Sequence, residues 1–118
     1  MAEAYSIFVV EEILLVSIHD DITDTDITDL QDRLSEDIVR VNARGVIIDI
    51  SGLDIVDTFV GRILGQLARV AKILAAVPYV VGMRPAVAMT LVELGMNLSD
   101  MRTALSVNHA MQHLRSTK

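Results

Sequence analysis

The chain has 118 residues, with ten basic and sixteen acidic side chains for a net charge of −6, 52% hydrophobic residues, 3% aromatic residues and no cysteine. At this length one domain with one core buries roughly two thirds of the surface its unfolded form exposes, and residues 1–118 read as such a domain. Without cysteine, disulfides and thiol chemistry are excluded, and the acidic balance with so few aromatics excludes the charged groove and stacking platform of a DNA or RNA binder.

The N-terminal "MAEAYSIFVV" has no basic stretch ahead of its apolar one. The uncharged run at residues 73–83 is too short to span a bilayer and contains Pro78, so a soluble, cytoplasmic protein without membrane contact is expected. Charge is unevenly placed: residues 1–60 hold fourteen acidic and three basic side chains, residues 61–118 two and seven. An acidic surface beside a basic one would produce this, as would copies that pack acidic face to basic face.

In chain order, "AYSIFVV" and "ILLVSI" are apolar, β-branched runs parted by Glu11 and Glu12, the pattern of two strands and a tight turn. Ile27, Leu30, Leu34, Ile38 and Val41 then recur at steps of three and four, which predicts a helix with Gly45 at its exit. "GVIIDIS" is a short, nearly continuous apolar run, as expected of a strand buried on both faces. After the turn "SGLDIVD", Val60, Ile63, Leu64, Leu67, Val70, Ala71 and Leu74 predict a second helix ending before Pro78. "YVVGM" reads as a strand, and "PAVAMTLVEL" as a helix with Pro85 in its first turn and Gly95 after its end. "TALSV" reads as a last strand, and residues 107–118 as a final helix capped by Asn108. Alternation after the hairpin implies an α/β fold: a mostly parallel sheet of four to five strands, an N-terminal hairpin and about four helices.

Most candidate sites fail on spacing. The run "HDDITDTDITDLQD" counted from Asp24 places Asp29 and Ser35 where a calcium loop needs Gly and a carboxylate, so it reads as a solvated loop whose Asp and Thr cap the first helix. His109 and His113 stand four apart without the pattern or third ligand of a metal site. No glycine-rich phosphate loop or nucleophile elbow occurs, and no cofactor is implied. His19 beside Asp20 and Asp21 could serve as a base, with no visible nucleophile to serve.

Thr58 is different. Asp57 can cap the second helix by accepting hydrogen bonds from free N–H groups, which leaves the Thr58 hydroxyl spare to point outward. A phosphate added there would meet the helix dipole and crowd Asp57 and Asp54; an ordinary first-turn threonine is the plain alternative.

"DISGLDIVDTFVGRILGQL" and "GMRPAVAMTLVELGM", with the element order, resemble the STAS domain of anti-sigma factor antagonists, and within that family the stressosome scaffolds of the RsbS type. The resemblance implies a non-catalytic binding module. By position, Thr58 matches the hydroxyl residue phosphorylated by a switch-type serine/threonine kinase and Asp57 the acidic residue before it, with Phe59 and Arg62 completing the kinase-facing surface. It further implies co-assembly with a longer RsbR-like STAS paralogue into a large hetero-oligomer, sequestration of an RsbT-like kinase until phosphorylation, and a phosphatase that reverses the modification. Two departures stand out: scaffolds usually present Ser at Thr58, and simple antagonists place small residues where Phe59 and Val60 precede Gly61. The alternatives are a simple antagonist that captures an anti-sigma kinase, and a small enzyme or ligand-binding domain using His19 and the aspartates.

Overall fold

The computed structural model describes residues 4–54, 57–95 and 101–116. Ile55 and Val56 of the turn before the second helix, and Thr117 and Lys118 at the end of the expected final helix, lie outside the described residues. In chain order the elements are β1 (Tyr5–Val10), β2 (Ile13–Ile18), α1 (Asp24–Val41), β3 (Gly45–Asp49), α2 (Thr58–Ile73), β4 (Val77–Val81), α3 (Pro85–Glu93), β5 (Arg102–Ala104) and α4 (Val107–Ser116). The sheet order is β1-β2-β3-β4-β5, with β1 antiparallel to β2 and every other neighbour parallel. This is the expected α/β arrangement.

The β1–β2 turn is as short as the sequence implies, since Val10 pairs directly with Ile13. Glu11 and Glu12 both take positive φ, 53° and 65°, as a two-residue turn matched to the strand twist requires. At the start of α1 Thr23 and Asp26 cap one another: Asp26 N donates to Thr23 Oγ1 (3.2 Å) and Thr23 N to Asp26 Oδ2 (3.0 Å). Asp24 to Asp32 therefore belong to the helix rather than to a loop.

Three further boundaries differ from expectation. The left-handed exit from α1 is Asn42 (φ 52°), not Gly45; Asn tolerates this conformation through its short polar side chain. Gly45 opens β3 instead, and there a Cβ would come within 2.6 Å of Leu114 Cδ1, so its bareness admits α4. β4 begins at Val77 and includes Pro78. Val77 N donates to Arg44 O (3.0 Å) on the β3 side, so Pro78 lacks an N–H on the opposite side, where pairing with β5 begins only at Tyr79. The last strand ends at Ala104 and Ser106, not Asn108, caps α4: His109 N donates to Ser106 Oγ (3.3 Å), which turns the chain into helix at Val107.

Side chains alternate across the strands and build two cores. Leu14, Val16 and Ile18, Val46 and Ile48, and Val80 face a layer of α1, α2 and α3. Ile13, Ile47, Tyr79 and Val81 face α4, which contributes Ala110, Met111 and Leu114. Within the first layer α1 and α2 lie side by side, tied by Gln31 Nε2 donating to Gln66 Oε1 (2.9 Å). Asp24 of α1 and Arg62 of α2 line one cleft between the two helices, an acidic residue beside a basic one within a single copy.

Buried Tyr5 fastens β1 to α1: its hydroxyl donates to Asp29 Oδ2 and accepts from Arg33 Nη1 (3.2 Å), with the guanidinium 5.4 Å from the ring centroid. Burial, and then the bond to Asp29, push the phenol above its ordinary value of 10.0. Above that pH the unfolded chain ionises Tyr5 while the folded chain resists, so stability declines as pH rises. We expect urea midpoints measured from about pH 9 to pH 11 to fall more steeply for wild type than for Tyr5→Phe, which has no phenol to ionise. The layer assignment is tested by two α2 positions. Leu64 has no exposed surface and Ile73 is 83% exposed. Leu64→Ala should cost about 2–5 kcal/mol in urea unfolding and Ile73→Ala less than about 0.5 kcal/mol.

Candidate functional site

Parallel strands end at one edge of the sheet, and here the loops after β2, β3 and β4 meet. The chain leaves β3 under tight control. Ile50 N donates to Val81 O (3.1 Å), Ser51 N to Asp49 Oδ1 (2.9 Å) and Leu53 N to Ile50 O (3.0 Å). Leu53 is buried, so the loop is pinned by a core side chain as well. From the β2–α1 loop Asp20 Oδ1 accepts from Asp54 N (2.9 Å). From the β4–α3 loop Arg84 Nη1 donates to Asp54 Oδ1 (2.6 Å) and its Nη2 to Ser51 O (3.1 Å).

The loop delivers the chain to the start of α2. Asp57 is extended and caps the helix, its Oδ1 accepting from Val60 N (3.1 Å). Thr58 is the first helical residue and is exposed; among the described residues no hydrogen bond holds its hydroxyl. Phe59 is half-buried against the main core. Arg62, one turn beyond Thr58, is exposed and lines a polar cleft of about 460 Å³ between α1 and α2, with Asp24, Thr28, Gln31, Phe59 and Gln66 among its walls. The structure therefore brings Asp57, Thr58, Phe59 and Arg62 together at one helix end.

The other candidates stay apart from it or from one another. His19 is exposed, its backbone N–H is bonded to Ala4 O (2.9 Å), and its ring lies over Gly52. On α4, His113 Nδ1 is 3.3 Å from the Tyr79 hydroxyl, while His109 is exposed. Among the described residues no group of three or more His, Cys, Asp or Glu could hold a metal ion, and no helix is long and apolar enough to cross a membrane.

Two residues of this edge escaped the sequence analysis. Arg84 sits before a helix-starting proline, and no local pattern points from it to Asp54 thirty positions earlier. Gly82 has a φ of 75° and lets two loops touch: a Cβ there would fall 2.7 Å from Asp49 Oδ1 and 2.9 Å from Ser51 Cβ.

The structure is an α/β domain with helices on both faces of its sheet and an exposed hydroxyl at a capped helix end. Residues 5–110 match the STAS domain model, and the chain belongs to the STAS domain family. It is 34% identical to RsbS of Moorella thermoacetica, solved as a serine-to-glutamate variant, over 96% of both chains with a TM-score of 0.81. A chain in the structure described as the molecular architecture of the stressosome, a signal integration and transduction hub, is also 34% identical, over 93% of this chain and 96% of that one, with a TM-score of 0.82. The RsbT co-antagonist protein RsbRA of Bacillus subtilis is 30% identical over 83 residues, 70% of this chain; the match spans only 30% of RsbRA's own length. The anti-sigma factor antagonist SpoIIAA shares the fold (TM-score 0.70, 97% of this chain and 100% of that one) at 12% identity. The likenesses to RsbS and to the stressosome chain support a stress-signalling role, and SpoIIAA shows the shared fold.

The division of labour at the helix end is testable without a partner. Asp57→Ala removes the cap and should lower stability by about 1 kcal/mol, whereas Thr58→Ala, which removes an unbonded exposed hydroxyl, should change it by less than about 0.5 kcal/mol. Thermal or urea unfolding of both variants decides it; equal losses would mean that Thr58 shares the capping.

Proposed function

We propose that the chain is a non-catalytic scaffold of a stress-signalling complex: it co-assembles with a longer RsbR-like STAS protein and holds an RsbT-like serine/threonine kinase until Thr58 is phosphorylated, with a phosphatase restoring the unmodified state. The observation that carries the reading is the spare hydroxyl. Asp57 does the capping, so Thr58 is exposed, unbonded and placed where a kinase can reach it. Similarity to RsbS over nearly the whole of both chains supports the scaffold role, and the RsbT co-antagonist name of RsbRA supports the choice of kinase. In the RsbS variant an acidic side chain replaces a hydroxyl, a change of charge in the same direction as phosphorylation makes.

The energetics favour a switch of binding rather than of fold. A phosphate adds about 1.5 to 2 negative charges. Next to the α2 N-terminus the helix dipole offsets this by about 0.3–1 kcal/mol, so the domain survives. At a protein contact, desolvating a phosphate and setting it against like charge each cost several kcal/mol, which weakens a dissociation constant by a factor of about a hundred or more. Phe59 and Arg62 form the adjoining contact surface.

Three variants test this in pull-downs with an RsbT-like kinase from the same organism, with phosphosite mapping of wild type after incubation with kinase and ATP. Thr58→Ala should retain the kinase, Thr58→Asp should release it with a nearly unchanged Tm, and Thr58→Ser should accept phosphate at least as well as wild type. Phosphate found chiefly on Thr90, Thr103 or Ser51, or equal kinase binding by the Ala and Asp variants, would return Thr58 to an ordinary first-turn residue.

A further inference from the structure

We infer that Arg84 is the positioning residue of the Thr58 loop: its guanidinium fork ties residues 51–54 to the β4–α3 loop and so sets how Thr58 is presented to a kinase. The presentation half of this inference rests on the reading of Thr58 as the phosphate acceptor; the tie itself rests on contacts alone.

The fork spans two different groups of one loop. Nη1 reaches the Asp54 carboxylate at 2.6 Å and Nη2 the Ser51 carbonyl at 3.1 Å, so a side chain and the backbone three residues before it are held together. A planar guanidinium reaches the two acceptors through separate nitrogens of a rigid fork, whereas an ammonium offers one nitrogen whose rotatable donors fix neither direction. Arg84 is also aimed from a fixed base. Pro85 disfavours helical backbone for the residue before it, and Arg84 is extended (φ −74°, ψ 150°) with its side chain making no helix-capping bond. Gly82 completes the device by letting the backbone of the β4–α3 loop press onto Asp49 and Ser51 without a clash. Asp20 grips Asp54 from the other side through its backbone N–H.

Global stability does not account for this arrangement. The Arg84 and Asp54 side chains are 55% and 67% exposed, and ion pairs that exposed add little to folding. What the tie changes is local: it restrains residues 51–54, and it neutralises Asp54, four residues ahead of the hydroxyl. A kinase then meets a pre-organised loop with one bare carboxylate fewer. Such restraint matters for catalysis because a small misplacement of a reacting group is expensive in rate.

The test uses the full chain with Arg84→Gln, Arg84→Lys, Asp54→Asn and the Arg84→Gln/Asp54→Asn double variant, read by hydrogen exchange and by kcat/KM for phosphorylation of Thr58. Arg84→Gln should speed amide exchange in the 50–58 peptide by about threefold to tenfold while β3 and β4 stay protected, since only local opening is eased. Its kcat/KM should fall by about tenfold, mainly in kcat. Arg84→Lys should recover less than half of either effect. In the double variant the loss should equal that of Arg84→Gln alone, because both changes break the same contact. Unchanged loop exchange in Arg84→Gln overturns the inference, as do fully additive losses, which would put Arg84 in direct contact with the kinase. If wild-type Thr58 accepts no phosphate, the functional reading falls while the exchange data still decide whether Arg84 holds the loop.

Discussion

The central strand β3 must be covered on both faces at once. Val46, Ile47 and Ile48 lose all their exposed surface, the first and last to the α1–α3 layer and the middle one to α4. Burying side chains of this size is worth about 1.5–3 kcal/mol each, so no arrangement that leaves one face bare competes. Because side chains alternate with a period of two, a slip of one residue would exchange the faces and send every apolar group to the wrong layer. Register is therefore held tightly, and with it the point at which the chain leaves the sheet.

That exit decides where the functional edge lies. β2, β3 and β4 run parallel, so their ends fall at the same edge and the three following loops are neighbours without further instruction. Asp49, at the end of β3, turns the chain by accepting from Ser51 N, and Asp20 and Arg84 then grip Asp54 from the flanking loops. Downstream, Asp57 takes up the helix end, so the adjacent hydroxyl makes no structural contribution of its own. A side chain free of structural duty can change its charge at little expense to the fold.

The two faces of the sheet serve different ends. Three helices cover one face and place Asp24 of α1 and Arg62 of α2 in one cleft, next to the helix end that carries Thr58. Among the described residues α4 covers the other, seated close because Gly45 has no side chain, and joined by the contact of His113 with Tyr79 and the Arg115–Glu11 ion pair (2.8 Å).

What could be read from residue order was whatever depends on near neighbours. The spacing of Leu30, Leu34 and Ile38, the alternation through Val46–Ile48, the two-glutamate turn and the Asp57 cap all arise from interactions within a few positions, so the pattern and the physics coincide. Boundaries were less legible: Asn42 competed with Gly45 for the helix exit, Ser106 with Asn108 for the α4 cap, and Pro78 seemed to stand outside a strand that in fact contains it. In each case several residues had suitable chemistry and the choice fell to packing against α4 or to pairing with β5. The tie from Arg84 to Asp54 was not legible at all. Thirty positions separate them, and they meet only because β3 and β4 are paired in one register with Gly82 permitting the loops to touch. Residue order alone determined the elements and the spare hydroxyl; the register of two parallel strands, a non-local property, decided which groups surround it.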